Sequence, residues 1–222
     1  MTKICSVTKV NAVSRDSAFY DETRSRYRSI NVDCFRVESS DHRPDTEVIL
    51  EHDNQVIGVS FRVRDRYVKV LKRDFQGAVH LDSCVEFFVR PAGSSGYFNF
   101  EVNCGGALHA SFIEDWRRIG DGFAKRTPLT RQQADAVSIR TSLPQVIDPE
   151  MDEAVEWFLT LRIPLIVMET FVGSLGSLSG AIWTGNFHKC GDETSHPHWA
   201  SWSPIPELNF HCPDSFGTIR FD

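Results

Sequence analysis

The feature that most constrains this chain is a succession of short segments in which apolar residues alternate with polar ones or run together. INVDCFRV (30–37), EVILEH (47–52), QVIGVSFRVRD (55–65), DSCVEFFVR (82–90), YFNFEVN (97–103) and ALHASFIE (107–114) follow this pattern. AVSIRTSL (136–143), VEWFLTLRIP (155–164), GAIWTGNFHK (180–189) and FGTIRF (216–221) continue it. A period of two places alternate side chains on one face, the mark of a half-buried strand. Roughly a dozen short strands with few helical windows imply an all-β chain, a β-sandwich or jelly roll. LIVMETFVGSL (165–175) is the one window that reads as a short helix, and Pro164 is acceptable near its start.

Polar and Gly/Pro-rich stretches separate these segments. HDN (52–54) reads as a tight turn, and SSDHRPD (39–45), RRIGDGFAKRTPLTRQQAD (117–135), PQVIDPEMDE (144–153) and GSLGSLSG (173–180) read as loops. None is long or biased enough to split the chain, and no internal repeat is visible. With 222 residues, 41% of them hydrophobic, one domain spanning 1–222 is the simplest organisation.

Net charge is −6, which implies no general attraction to nucleic acid or to an anionic membrane. The arginines of DETRSRYRS (21–29) are interleaved with acids and small residues, as in a solvated loop or strand. MTKICSVTKVNAVSRD lacks the apolar core of a secretory signal, and no stretch approaches a membrane span. A cytoplasmic location is the expectation. The six cysteines, at 5, 34, 84, 104, 190 and 212, include no short CxxC and are expected to be reduced.

The hairpin DSCVEFFVRPAGSSGYFNFEVN (82–103) carries the most information. Paired about the middle of PAGSSG, it sets Val85 opposite Val102 and Phe87 opposite Phe100, an apolar face that belongs to the core. The same register sets Glu86 opposite Glu101, and like charges facing one another across strands are destabilising. Cys84 and Cys104 fall on opposite faces and are not expected to pair. The face holding Glu86, Asn99, Glu101 and Asn103 is either solvated, with the glutamates splayed and Arg90 helping to neutralise them, or a binding face. Carboxylates accept hydrogen bonds in two directions, which suits a polyol. Paired carboxyl groups also recur in retaining glycosidases, but nothing else in the sequence marks a nucleophile.

A second constellation lies in TGNFHKCGDETSHPHWASWSPI (184–205). His188, Cys190, Asp192, His196 and His198 are all of metal-ligand type, and alternation would bring His188 and Cys190 to one face. Their spacing matches no standard finger, and histidines in a rigid HPHW loop can bond backbone carbonyls instead. Trp199 and Trp202 would face opposite ways on a strand, one towards the core and the other available to stack on a sugar.

These residues resemble a known family. DSCVEFFV, YFNFEVN, GNFHKCGDETSHPHWASWSPI and NFHCPDSFGTIRF, with PDTEVILEHDNQVIGVSFRVRD upstream, look like the carbohydrate-binding family 9-like proteins from about Pro44 to Asp222. The resemblance implies an immunoglobulin-like or jelly-roll β-sandwich with at most one or two short helices, often stabilised by calcium. Loop acids such as Asp41, Asp45 and Asp65 are candidate calcium ligands. Characterised xylanase-attached members bind reducing ends of glucans and xylans, clamping the terminal sugar between two tryptophans. By motif, His80 and Phe210 stand where those tryptophans are expected. Glu86 matches a glutamate that contacts sugar hydroxyls, whereas Glu101 stands where sugar-binding members carry an arginine. Arg90 or Arg220 could restore a cation. Such modules are usually appended to secreted hydrolases, and this chain looks like a stand-alone member.

The reading that follows is non-catalytic binding of a saccharide by His80, Glu86, Asn99, Glu101, Asn103 and Phe210. Two alternatives stand beside it: a metal-assisted hydrolase built on the 188–198 cluster, and a protein-interaction module.

Overall fold

The computed structural model describes residues 3–20, 27–120 and 122–222, so most of the arginine-bearing stretch 21–29 lies outside the described residues. The alternating segments become strands. The first half contributes β1 (Ile4–Lys9), β2 (Ile30–Asn31), β3 (Cys34–Phe35), β4 (Asp45–His52), β5 (Val56–Asp65), β6 (Val68–Val70), β7 (Cys84–Arg90) and β8 (Tyr97–Asn103). The second half contributes β9 (Leu108–Ile119), β10 (Gly122–Pro128), β11 (Ser138–Thr141), β12 (Ile147–Met151), β13 (Val155–Pro164), β14 (Ile182–Cys190), β15 (Trp199–Ser201) and β16 (Gly217–Phe221). The α-helices are short, α1 over Arg131–Ala136 and α2 over Leu165–Val172. The chain is an all-β sandwich.

One ladder runs β10-β9-β8-β7-β14-β16-β1, and the other runs β1-β4-β5-β13-β11. Strand β1 belongs to both. Its residues Ile4–Val7 lie parallel to β16, and Thr8 and Lys9 then lie parallel to the end of β4. One apolar cluster fills the space between the ladders. Val85, Phe87, Val89, Phe98, Phe100 and Val102 contribute from one side, and Val59, Phe61, Trp157, Leu159 and Leu161 from the other. Phe87 stacks on Phe187 with ring centroids 5.0 Å apart. Burial of each such side chain supplies roughly 1.5–3 kcal/mol, enough to hold the hairpin's apolar face inward whatever its other face carries.

Several expectations meet the structure directly. Asn54 adopts a φ of 66° in the turn between β4 and β5, and Pro164 stands at the N-terminal cap of α2. Others are corrected. The expected loop 117–135 is largely the β9–β10 hairpin followed by α1, whose Thr130 and Gln133 form a reciprocal cap. Its outer residues are exposed on both faces, so no apolar alternation marks them. PQVIDPEMDE contains β12, which pairs with β6. INVDCFRV is not one strand: Ile30 and Asn31 pair with β4, whereas Cys34 and Phe35 pair with β15 in the other ladder. The N-terminal segment, read above only for the lack of a signal, supplies the strand that joins the ladders.

Candidate functional site: a cavity over paired glutamates

The β7–β8 register sets Glu86 opposite Glu101, Phe87 opposite Phe100 and Val85 opposite Val102. The polar face of this hairpin is not solvated. Glu86 is 2% exposed, Asn99 1% and Glu101 6%, so the sheet holds two carboxyl groups side by side away from bulk water. Three segments from elsewhere cover them: the turn Val79–Leu81, the chain around Phe210 and His211, and the β9–β10 hairpin. Between these covers and the sheet lies a cavity of about 600 Å³. That volume falls within the roughly 300–1,000 Å³ typical of small-molecule sites.

Its floor is Glu86, Asn99, Glu101 and Cys190, and its walls include His80, Trp199, Phe210 and His211. Asn99 is locked in place. Its Oδ1 accepts from the Ser111 amide at 2.8 Å, so its Nδ2 donates to Glu101 Oε1 at 2.7 Å. Glu86 is held more loosely: Cys190 Sγ lies 3.5 Å from its Oε1, and His188 Nδ1 lies 3.3 Å from its Oε2. His188 in turn stacks on Phe210, with centroids 4.1 Å apart and rings 10° from parallel, which fixes one wall. His80 rides on a turn tied to the loop after β14, because the amides of Asp192 and Glu193 donate to the carbonyls of His80 and Leu81. Trp199 donates its Nε1–H to Asp192 Oδ1 at 2.7 Å, leaving the indole at the rim. Of the two tryptophans expected to face opposite ways, Trp202 is the core one and Trp199 the accessible one.

Electrostatics at the floor follow from burial. Desolvation raises the Glu86 carboxyl, and desolvation together with the nearby Glu86 charge raises Glu101. Both therefore hold protons more tightly than exposed glutamates. Histidines His80 and His211 approach Glu101 at 3.9 and 4.0 Å without forming close contacts. His109 points its Nδ1–H at the carbonyls of Gln76 and Gly77, 3.2 Å each, which holds its ring in the cavity wall. Burial lowers His211 well below the ordinary histidine range.

The expected ligand set is gathered here with one exception. Asn103 does not reach the cavity: its Nδ2 donates to Lys72 O and Asp82 Oδ2, and its Oδ1 accepts from the Ala107 amide. It braces the turn after β8. The cations of the site are also not those anticipated. Arg90 donates to Ser94 O at the hairpin's far end, and Arg220 is exposed on β16. Arg118 and Arg126 line the cavity instead, with the Arg118 guanidinium 4.2 Å from the centroid of the Phe123 ring. Sequence reasoning missed this wall because it read 117–135 as a loop. Phe123, the cross-strand partner of Arg118 and the one aromatic residue of that stretch, was the available signal.

The second constellation divides. Alternation along β14 does bring His188 and Cys190 to one face, both against Glu86. Asp192 is engaged by Trp199, and His196 stacks on Tyr67 at 3.6 Å. His198 lies on the other side of β14, accepting from Lys189 Nζ at 2.7 Å while its Nδ1–H donates to His196 O. The five residues do not converge on one point. Among the described residues, the only group of three or more His, Cys, Asp or Glu side chains with donor atoms within 4.8 Å of one another is Cys84, Glu86 and Cys190. Of the acids expected in loops, Asp45 and Asp65 instead stand at strand ends, on β4 and β5, where Asp45 pairs with Arg64 and Asp65 with His42 and Lys189.

Comparison with known proteins places this geometry in context. A model of the family described as carbohydrate-binding family 9 matches residues 18–221. A crystal structure of a candidate carbohydrate-binding protein from Bacteroides uniformis is 29% identical, with a TM-score of 0.85 and 100% of each chain covered. A family 9 module from Caldicellulosiruptor kristjanssonii, solved with glucose, is 13% identical with a TM-score of 0.61, covering 99% of this chain and 96% of that one. The same source provides a structure with cellotriose, again 13% identical and at a TM-score of 0.61, with 94% of that chain covered. At that identity the likeness is one of fold. No curated protein matches the chain.

Proposed function

The chain belongs to carbohydrate-binding family 9, and from that premise we propose that the cavity over β7 and β8 binds a saccharide without cleaving it. The observation that carries this reading is the floor itself. Two buried glutamates face each other, each accepting a single side-chain hydrogen bond, Glu86 from Cys190 and Glu101 from Asn99, and aromatic rings stand at the walls. A buried polar atom left unpaired costs about 1–3 kcal/mol, and a ligand rich in hydroxyl donors would relieve that cost. Such a site discriminates strongly, because any ligand lacking the hydroxyl leaves the carboxyl unpaired.

Within the proposal each residue has a role. Glu86 and Glu101 accept from sugar hydroxyls, and Asn99 holds Glu101 in place. Phe210 and Trp199 offer apolar ring faces, and His80 forms the wall between cavity and solvent, its side chain 43% exposed. The arginines at the β9–β10 rim extend the site towards longer or negatively charged saccharides. The 188–198 cluster has no role as a hydrolase centre here, since its members point to both sides of β14.

Isothermal titration calorimetry against a broad panel of mono- and oligosaccharides tests the reading. A saturable heat for at least one sugar, reduced in Glu101→Gln, is the expected result. No binding at millimolar sugar, with the protein shown folded by circular dichroism, would overturn it.

A further inference from the structure

At the back of the same cavity two thiols that saccharide binding does not use meet one of its glutamates. Cys84 on β7 is the register partner of Cys190 on β14, and Glu86, two residues along β7, shares their face. Their donor atoms all lie within 4.8 Å of one another, and Cys190 Sγ is 3.5 Å from Glu86 Oε1. Cys84 is 0%, Cys190 1% and Glu86 2% exposed. The sheet thus brings two thiols and one carboxyl to a single point, held by continuous backbone pairing on both strands.

A second observation points to a ligand at that point. Glu86 Oε2 and His188 Nδ1 are buried 3.3 Å apart without a well-formed hydrogen bond, and His188 Nε2 is buried with no partner at all. Buried polar atoms are nearly always satisfied, and unpaired ones clustered at one place call for an explanation. His188 does not join the group of three, but its Nδ1 lies 3.3 Å from Glu86 Oε2, where it can orient that carboxylate.

We propose that Cys84, Glu86 and Cys190 form a binding site for one thiophilic divalent cation of the zinc class. The choice of cation follows from the donors. Two thiolates suit zinc and similar metals, whereas calcium and magnesium need oxygen ligands in greater number. Ligation releases the protons of the two thiols and of any protonated carboxyl. Three ionised ligands bring three negative charges, and the divalent cation cancels two of them. The nearby ammonium, Lys189, points to the opposite side of β14 and is committed to Asp65. Glu86 and Cys190 line the cavity and Cys84 does not, so the fourth coordination position faces the cavity. Three protein ligands and one open position is the arrangement of sites that meet a small molecule. The assignment stands independently of whether the cavity takes a saccharide.

Cobalt titration tests it. The full chain, carrying no histidine tag, is reduced, freed of metal with a chelator and titrated with Co²⁺. A thiolate-to-cobalt absorption band that saturates at equimolar metal and is bleached by Zn²⁺ is the expected result. Cys84→Ser and Cys190→Ser each lose the band, while Cys34→Ser and Cys212→Ser keep it. Should either of the first two variants fail to fold, Glu86→Gln supplies the readout: it keeps both thiols, and its cobalt spectrum must shift and its affinity fall. The proposal is overturned by absence of the band in the folded, reduced protein. It is equally overturned by a band that survives Cys84→Ser and Cys190→Ser, by a Glu86→Gln spectrum and affinity unchanged, or by a Cys84–Cys190 disulfide in protein isolated with its thiols blocked. Sugar calorimetry on the metal-free protein reads the saccharide reading separately, so the two can fail apart.

Discussion

Strand β14 carries two buried polar clusters, one on each side, and they differ in how completely their atoms are paired. Around Lys189, every charged group has partners. Its ammonium lies 3.3 Å from Asp65 and 2.7 Å from His198 Nε2, while Asp65 also receives His42 Nε2, Trp157 Nε1–H and the Arg66 amide. Burial alone would raise the Asp65 carboxyl, but Lys189 and the His42 hydrogen bond hold it well below the usual carboxylate range. Around Glu86, on the other side, the carboxyl and its neighbouring imidazole retain unpaired atoms, and both glutamates are raised rather than lowered. A buried network that is closed on itself is part of the fold. One that is left open at a cavity is available to a ligand. The same strand, residue by residue, supplies both.

Removing one member of the closed network is the most severe way to test this difference. Asp65→Ala leaves Lys189 buried without its counter-charge and is expected to cost about 3–5 kcal/mol in urea unfolding. A loss below about 1 kcal/mol would mean that the network is as open as the cavity, in keeping with the small value of exposed ion pairs.

Acid comes next. Burial pushes His198 down to about 3, and the adjacent Lys189 charge acts in the same direction. Its folded value lies below the unfolded one of about 6.5, so the stability it contributes is present above that pH and is lost as pH falls towards 3. Urea midpoints should decline across this window, and His198→Gln should flatten the decline. An equal slope in the variant would assign the acid sensitivity to other groups.

The smallest effect on stability is expected on the open side. Glu101→Gln removes a like charge opposite Glu86 and keeps an acceptor, so stability should stay within about 1 kcal/mol or rise. Saccharide affinity should nevertheless fall about tenfold, close to 1.4 kcal/mol. A large loss of stability with binding intact would reverse the roles of the two clusters.

Much of the site was legible because β-strand chemistry is local. The register of β7 and β8 could be read from the placement of PAGSSG and the two apolar faces, and with it the opposition of Glu86 and Glu101. His80 and Phe210 were marked by family motif and both line the cavity, whereas alternation left open which of Trp199 and Trp202 would join them. Asn103 was misread because its place on the right face says nothing of the turn that consumes its amide. Arg118 and Arg126 escaped because residues 117–119 and 125–128 are all exposed, which leaves no period of two to read as strand. The strand β1 escaped for a related reason: its value lies in the two partners it joins, and nothing within Ile4–Lys9 names them.

The pairing of Cys84 with Cys190 shows the division most sharply. Alternation by itself determined that Cys84 and Glu86 share a face, that His188 and Cys190 share another, and that Phe87 belongs to the core. These are consequences of a two-residue period, which needs no knowledge of distant chain. That the two polar faces become one, with β14 beside β7 in a register that sets Cys190 against Cys84, depends on a ladder between segments about a hundred residues apart. Closure of that face into a cavity by residues around 80, 118–126 and 210 likewise depends on packing across the whole sheet. Periodicity sets which side chains travel together; the free energy of burying the shared core sets which of those sides meet.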